Sequence, residues 1–145
     1  MKTRLKKKYV IKRLDFARAG EASINVKNLL KSLNVDSKLT RRVSICGYEG
    51  EMNVVMHGGD GTLCVEITNR AIVLNISDNG PGIEDIEMAM TKGFSTASQE
   101  HREMGFGAGM GLPNMKKNSD EIVIQSEKWK KTNVKMTFSI PGKGE

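Results

Sequence analysis

The feature that most constrains this chain is a pair of glycine-rich segments in its second half. The first is Ser77-Asp78-Asn79-Gly80-Pro81-Gly82-Ile83, and the second is Gly105-Phe106-Gly107-Ala108-Gly109-Met110-Gly111-Leu112. Between them runs a polar stretch suited to a lid. Upstream, Glu49 and Asn53 stand four apart in what reads as a helix. An acidic residue closing a strand, a lid, and alternating glycines opening a helix together describe a nucleotide site. Each piece alone is weak; their order and spacing make the signal.

The glycines have distinct physical uses. Gly80 and Gly82 let backbone approach a flat base with no Cβ in the way, and Pro81 stiffens the turn between them. Asp78, at a strand end, can accept a hydrogen bond from an exocyclic amine of adenine. The plain alternative is a turn, since Asn-Gly-Pro-Gly would end any strand. Gly105, Gly107, Gly109 and Gly111 alternate into a helix start, where free N–H groups and the helix dipole favour anions. No GK[ST] follows, so this is not a P-loop. No strand immediately precedes it, so it is a poor dinucleotide fingerprint. A hinge for the lid is a compatible second role. Lys116 and Lys117 read as a solvated helix face.

Glu49 and Asn53 project from one helix face, one turn apart. An amide oxygen suits one position of a Mg²⁺ octahedron, with phosphates and waters filling others. A carboxylate beside it can orient or deprotonate a nucleophile. Ile45, Tyr48, Met52, Val55 and Met56 form a second stripe suited to a core. Gly47 and Gly50 each cost about 1 kcal/mol against Ala in an exposed helix interior, which points to close packing on that helix or to a distorted helix. The bland reading of Glu49 and Asn53 is a solvent-facing pair; the glycine segments displace it.

With 145 residues, one domain with one core is the simplest organisation. No apolar run approaches the roughly 18–20 residues of a membrane helix. The start, MKTRLKKKYVIKR, has charge but no apolar stretch of a secretory signal, so an intracellular, cytoplasmic protein is expected. The net charge of +6 is concentrated: seven of the first thirteen residues are Lys or Arg and none is acidic, while the rest carries 16 basic and 17 acidic residues. A solvated tail entering a lysine-guarded edge strand explains this. Contact with an acidic partner or nucleic acid is the functional alternative. Aromatic content of 5% argues against a stacking platform for single strands. Cys46 and Cys64 show no CxxC spacing and read as buried free thiols. His57 and His101 form no metal set.

Along the chain, residues 5–13 suggest a strand. Asp15 is placed to N-cap a helix over about 16–33, with Ala17, Ala19, Ile24, Val26, Leu29, Leu30 and Leu33 as its apolar positions. Residues 34–37 break it, and a second helix spans about 37–56. Strands over 63–67 and 71–76 form a hairpin with its turn at 68–70. A short helix over 84–90, a polar stretch over 91–104 and a helix over 109–118 follow, and strands over 121–125 and 134–140 close the chain. The sum is an α/β (α+β) two-layer sandwich: a mixed, mostly antiparallel sheet with helices on one face.

On these motifs the chain resembles the GHKL ATPase superfamily, which joins gyrase, a heat-shock chaperone, histidine kinases and a mismatch-repair protein. Glu49-x-x-x-Asn53 resembles the N box, which implies Glu49 as general base and Asn53 as Mg²⁺ ligand. Asp78-Asn79-Gly80-Pro81-Gly82 resembles the G1 box, with Asp78 on adenine. Gly107-Ala108-Gly109-Met110-Gly111-Leu112 resembles the G2 box that wraps the phosphates of ATP. Thr132 matches a threonine that helps hold adenine through water, although Lys131 stands where a Gly is usual. The likeness covers about residues 15–140 and implies the histidine kinase-like ATPase fold for an ATP-binding domain over 15–145, with residues 1–14 as a basic strand or tail.

No transducer domain and no phosphorylated dimerisation helix is expected beside it. A lone domain of this size is similar to bacterial anti-sigma factors and stress-signalling switch kinases. Gly93-Phe94-Ser95-Thr96 and Ile124-Gln125-Ser126-Glu127 resemble the switch-kinase branch. The resemblance implies an ATP-dependent serine kinase acting on a STAS-type antagonist, with Glu49 taking the serine proton and the 105–111 loop holding the triphosphate; Arg102 in the lid could touch the γ-phosphate or be a solvated lid arginine. It also leaves room for a sigma factor as partner and for a homodimer. The alternative is a non-catalytic module that uses ATP to shape a surface gripping a sigma factor or another regulator. A nucleic-acid contact through the basic N-terminus is a third, weaker reading.

Overall fold

The computed structural model describes residues 3–57, 59–80, 111–127 and 131–141. Gly82, Arg102, Gly105, Gly107, Ala108, Gly109 and Met110 lie outside the described residues, as do the expected 84–90 helix, the polar 91–104 stretch and His101. Elements run β1 (Thr3–Ile11), α1 (Glu21–Ser32), α2 (Ser37–His57), β2 (Gly61–Thr68), β3 (Ala71–Asp78), α3 (Gly111–Asn118), β4 (Glu121–Glu127) and β5 (Lys131–Ser139). The strands form one sheet in the order β1-β2-β3-β5-β4. Every pairing among the described strands is antiparallel.

The strand pattern explains the two layers. Leu63, Val65 and Ile67 on β2, Ile72, Leu74 and Ile76 on β3, and Val134, Met136 and Phe138 on β5 are all buried. They alternate with less buried neighbours such as Cys64, Glu66, Val73, Asn75, Lys135 and Thr137, so one sheet face packs the core, as period-2 strands allow. The helices cover that face with Val26, Leu30, Val43, Met52, Val54, Val55, Leu112 and Met115. The β2–β3 turn is set by Thr68, whose Oγ1 accepts from Arg70 N at 3.1 Å and Ala71 N at 3.0 Å.

The basic start forms the edge strand β1, two residues earlier than expected, with Lys6, Lys7 and Lys8 exposed. Cys46 is buried, and burial pushes its thiol up to about 12. Cys64 is only half-buried, a correction to the expectation of two buried thiols. It lies between Lys8 and Asn75 in the ladder, on the face opposite Leu63 and Val65. Among the described residues no helix is long and apolar enough to cross a membrane.

The start of α1 also corrects the sequence reading. Residues 13–20 form turns, and the Asp15 carboxylate accepts from Arg18 N at 3.3 Å instead of capping a long helix. Gly20 takes a left-handed φ of 96° at the N-cap and offers no side chain. The acceptor comes from α2: the Glu51 carboxylate receives Gly20 N at 3.0 Å, Ala22 N at 3.2 Å and Ser23 N at 2.9 Å. A buried anion at the positive end of a helix is favourable, which lets Glu51 sit 2% exposed. The α1 register shifts accordingly: Ala22, Ser23, Val26 and Leu30 face inward, while Ile24, expected inside, is 57% exposed. Leu33 is exposed as well.

The other helix ends are closed locally. Asn34 N reaches Lys31 O at 3.1 Å and Val35 N reaches Leu30 O at 3.1 Å, with Asn34 at φ 57°. That is a left-handed helix stop of the Schellman kind. Asp36 then caps α2, its Oδ2 accepting from Lys38 N and Leu39 N at 3.1 Å each. Arg42 closes the end of α3, donating from Nε to Asn118 O at 2.9 Å and pairing with Asp120 at 2.8 Å.

Candidate functional site

Helix α2 crosses the sheet between α1 and α3. It comes close because of Gly50: a Cβ there would run into Ile76 of β3 and lie 3.6 Å from Met115 Sδ of α3. Close packing is thus the reason for that glycine. Gly47 is less demanding, with Ser23 Cβ at 3.5 Å as its nearest neighbour. Tyr48, expected in the core stripe, is 43% exposed, whereas Met52 and Val55 are buried.

Glu49 and Asn53 meet the start of α3. A Cβ on Gly111 would stand 3.1 Å from Asn53 Oδ1 and 3.3 Å from Glu49 Oε2. The last glycine of the second glycine-rich segment therefore lies directly on the helical pair, which any side chain would crowd. Asn114, one turn into α3, donates a side-chain hydrogen bond to Glu49. Burial pushes the Glu49 carboxyl above the usual carboxylate range, and the Asn114 bond offsets part of the rise. Leu112 packs its side chain into the core. Cys46 Sγ, 3.6 Å from Met115 O, adds a further tie between α2 and α3.

Asp78 ends β3 directly opposite Thr132 of β5. Both share the parity of the inward residues, so both face the helix layer. Asp78 Oδ1 accepts from Gly80 N at 2.7 Å and Gly59 N at 3.4 Å. Burial raises the Asp78 carboxyl above its ordinary range, and the two amide bonds offset part of that rise. Among the described residues Oδ2 receives no such bond and is the oxygen a ligand amine could take. Thr132 is buried, with Ser126 Oγ 3.2 Å from its Oγ1. Lys131, in place of the usual glycine, begins β5 as an exposed residue.

Three contributors escaped sequence reasoning. Gly59 read only as a turn residue, yet a Cβ there would stand 2.9 Å from Asn79 C and 3.0 Å from Gly80 N. Gly59 has no room for a side chain because it abuts the backbone of the first glycine segment. Asn114 carried one signal, its i+3 spacing from Gly111, which puts the two on one helix face. Glu51 carried none, because its partners are some 30 residues away in sequence.

The donors fit magnesium and a nucleotide. Asn53 and Glu49 present hard oxygen atoms at a backbone cradle that a Cβ would fill, the chemistry that Mg²⁺ prefers. Among the described residues no three His, Cys, Asp or Glu side chains cluster, so phosphates and waters would supply the other ligands.

The chain is similar to known proteins. The family model for histidine kinase-, DNA gyrase B- and HSP90-like ATPases matches residues 49–143, beginning at Glu49. The anti-sigma F factor of Thermoanaerobacter sp. strain X514 is 33% identical over 110 residues, covering 74% of this chain and 69% of the relative. The anti-sigma F factor of Clostridium acetobutylicum is 29% identical over 120 residues, covering 79% and 80%. The serine/threonine-protein kinase RsbT of Bacillus subtilis strain 168 is 29% identical over 104 residues, covering 69% and 72%. The chain belongs to the histidine kinase-, DNA gyrase B- and HSP90-like ATPase family, in the branch that also holds anti-sigma F factors and the RsbT kinase.

Proposed function

We propose that this chain is an ATP-dependent protein serine kinase of the anti-sigma type, acting in the cytoplasm on a STAS-type antagonist. The observation that carries this reading is the meeting of Glu49, Asn53 and Gly111 at the start of α3. Residues 15–145 would act as one kinase domain, with the basic first strand at its edge.

Each residue then has a task. Asp78 would hold the adenine amine through its carboxylate, and Thr132, across the ladder, would hold the same base through water. Asn53 would give its amide oxygen to Mg²⁺. The α3 start would direct free N–H groups at the phosphates, continuing from Gly105, Gly107, Ala108, Gly109 and Met110. Arg102 would reach the γ-phosphate, and Gly82 would let the backbone lie against the base. Mg-ATP, when bound, supplies the phosphoryl group and much of the charge neutralisation. Glu49 would accept the proton of the partner's serine hydroxyl. Its raised carboxyl is a stronger base than an ordinary carboxylate, in the direction that general-base catalysis favours.

Glu49→Ala, incubated with Mg-ATP and a STAS-type antagonist domain, is expected to form no phosphoserine while still binding nucleotide. Undiminished transfer would overturn the kinase reading. A second reading, favoured by the relatives named anti-sigma F factor, is a non-catalytic module whose bound ATP shapes a surface for a sigma factor. It predicts partner binding that survives Glu49→Ala and no phosphorylated product from the unaltered chain.

A further inference from the structure

A groove of about 780 Å³ lies between the C-terminal half of α1 and the N-terminal half of α2, and it runs to Glu49. Lys27 and Lys31, one turn apart on α1, line one wall, while Arg41, Ser44 and Tyr48 line the other. The three cations are exposed, and among the described residues none makes an ion pair. Glu49 is the one carboxylate among the described residues that line the groove. Charges gathered along a cleft focus the field and attract the opposite sign.

We propose that this groove is the docking track for an acidic stretch of the polypeptide substrate, which leads its target serine to Glu49. The inference rests on the kinase reading and adds to it a statement of what the substrate looks like. Arg41 and Glu49 are eight residues apart on α2, about 12 Å of helix rise. An extended peptide covers that length in about four residues. The acidic side chains therefore fall about three to five positions from the serine, on one side of it only. The gradient along the groove favours a polypeptide over a nucleic acid. A phosphate backbone is anionic throughout and would meet the Glu49 carboxylate at the end of the track. A peptide can end its acidic run and present a neutral hydroxyl there.

The test uses the full chain and a fluorescein-labelled peptide with a single serine and Glu residues about four positions away, read by anisotropy in Mg-ATP. The unaltered chain is expected to bind this peptide about tenfold more tightly than a peptide with Lys in place of Glu, and increasing salt should erase the difference. Lys27→Glu, Lys31→Glu and Arg41→Glu combined should reverse the preference, binding the Lys peptide and losing the Glu peptide, with affinity for a fluorescent ATP analogue unchanged. Such a charge swap cannot be produced by an unfolded variant. No binding of the Glu peptide at about 1 mM, equal binding of the two peptides, or tighter binding of a single-stranded oligonucleotide through the same three residues would overturn the proposal. Binding with reversal but no phosphoserine in any peptide or protein would uphold the groove and count against the kinase reading alone.

Discussion

The two ends of the candidate site are held by different means. At the proposed base-binding end, Asp78 and Thr132 are neighbours in one β-ladder, and their relation is fixed by register. A slip of one residue would turn the whole strand inside out, so the hydrophobic core itself enforces this end. At the proposed catalytic end, Glu49 and Asn53 come from α2 while Gly111 and Asn114 come from α3. No ladder joins these helices, and only side-chain packing and single hydrogen bonds keep them together. The base end should therefore be robust and the catalytic end adjustable, with α2 as the shared part. Gly50 sits at the joint, against Ile76 two residues before Asp78 and against Met115 of α3.

The largest effect is expected from Glu51→Ala. It strips the acceptor from three backbone N–H groups at the α1 start. Loss of about 3 kcal/mol in urea unfolding is expected. A loss below about 1 kcal/mol would mean that α1 is not secured through α2. Gly50→Ala follows, because its methyl runs into Ile76. It should cost about 1–3 kcal/mol and weaken phosphoryl transfer more than nucleotide binding, since it pushes α2 away from both sheet and α3. Equal losses in the two functions would erase the division between the ends.

How much of this was legible beforehand follows the same division. Glu49 and Asn53 were visible because i and i+4 spacing is a property of one helix. Asp78 was visible because a strand followed by Asn-Gly-Pro-Gly is a local signal. Thr132 came only from family resemblance, despite the Lys131 departure, since nothing local links it to a residue 54 positions away. The α1 start was misplaced because Asp15 is a good local cap and Glu51 is a remote one. The cap on α2 is Asp36, beside its own helix, and that boundary was placed correctly. Tyr48 shows the other limit: periodicity assigned it to the core stripe, but the stripe is wider than the surface that the sheet and α1 cover.

Asp78→Asn probes the base end by pH. The carboxyl is raised in the folded chain by burial. The folded state therefore favours the protonated form, and that contribution is present below the unfolded pKa and lost as pH rises through the folded one. The Asn variant, which keeps an oxygen for Gly80 N and Gly59 N, should gain stability relative to the original as pH rises above the ordinary Asp range. The gain should stay below about 1 kcal/mol, because the group is partly solvated. A gap that narrows with rising pH, followed by thermal melts, would contradict the assignment. The smallest effect belongs to Gly47→Ala. Its methyl meets only ordinary contacts, so helix propensity should stabilise α2 by up to about 1 kcal/mol. Destabilisation there would show that α2 packs tightly along its whole length and not chiefly at Gly50.

Affinity for a fluorescent ATP analogue, titrated into the original chain, Asp78→Asn and Glu49→Ala, tests the division of labour most directly. The account predicts at least about a tenfold loss for Asp78→Asn, the scale of one hydrogen bond to a charged group, with Glu49→Ala within about threefold of the original. Retained affinity in Asp78→Asn, or an equal loss in both variants, would contradict it.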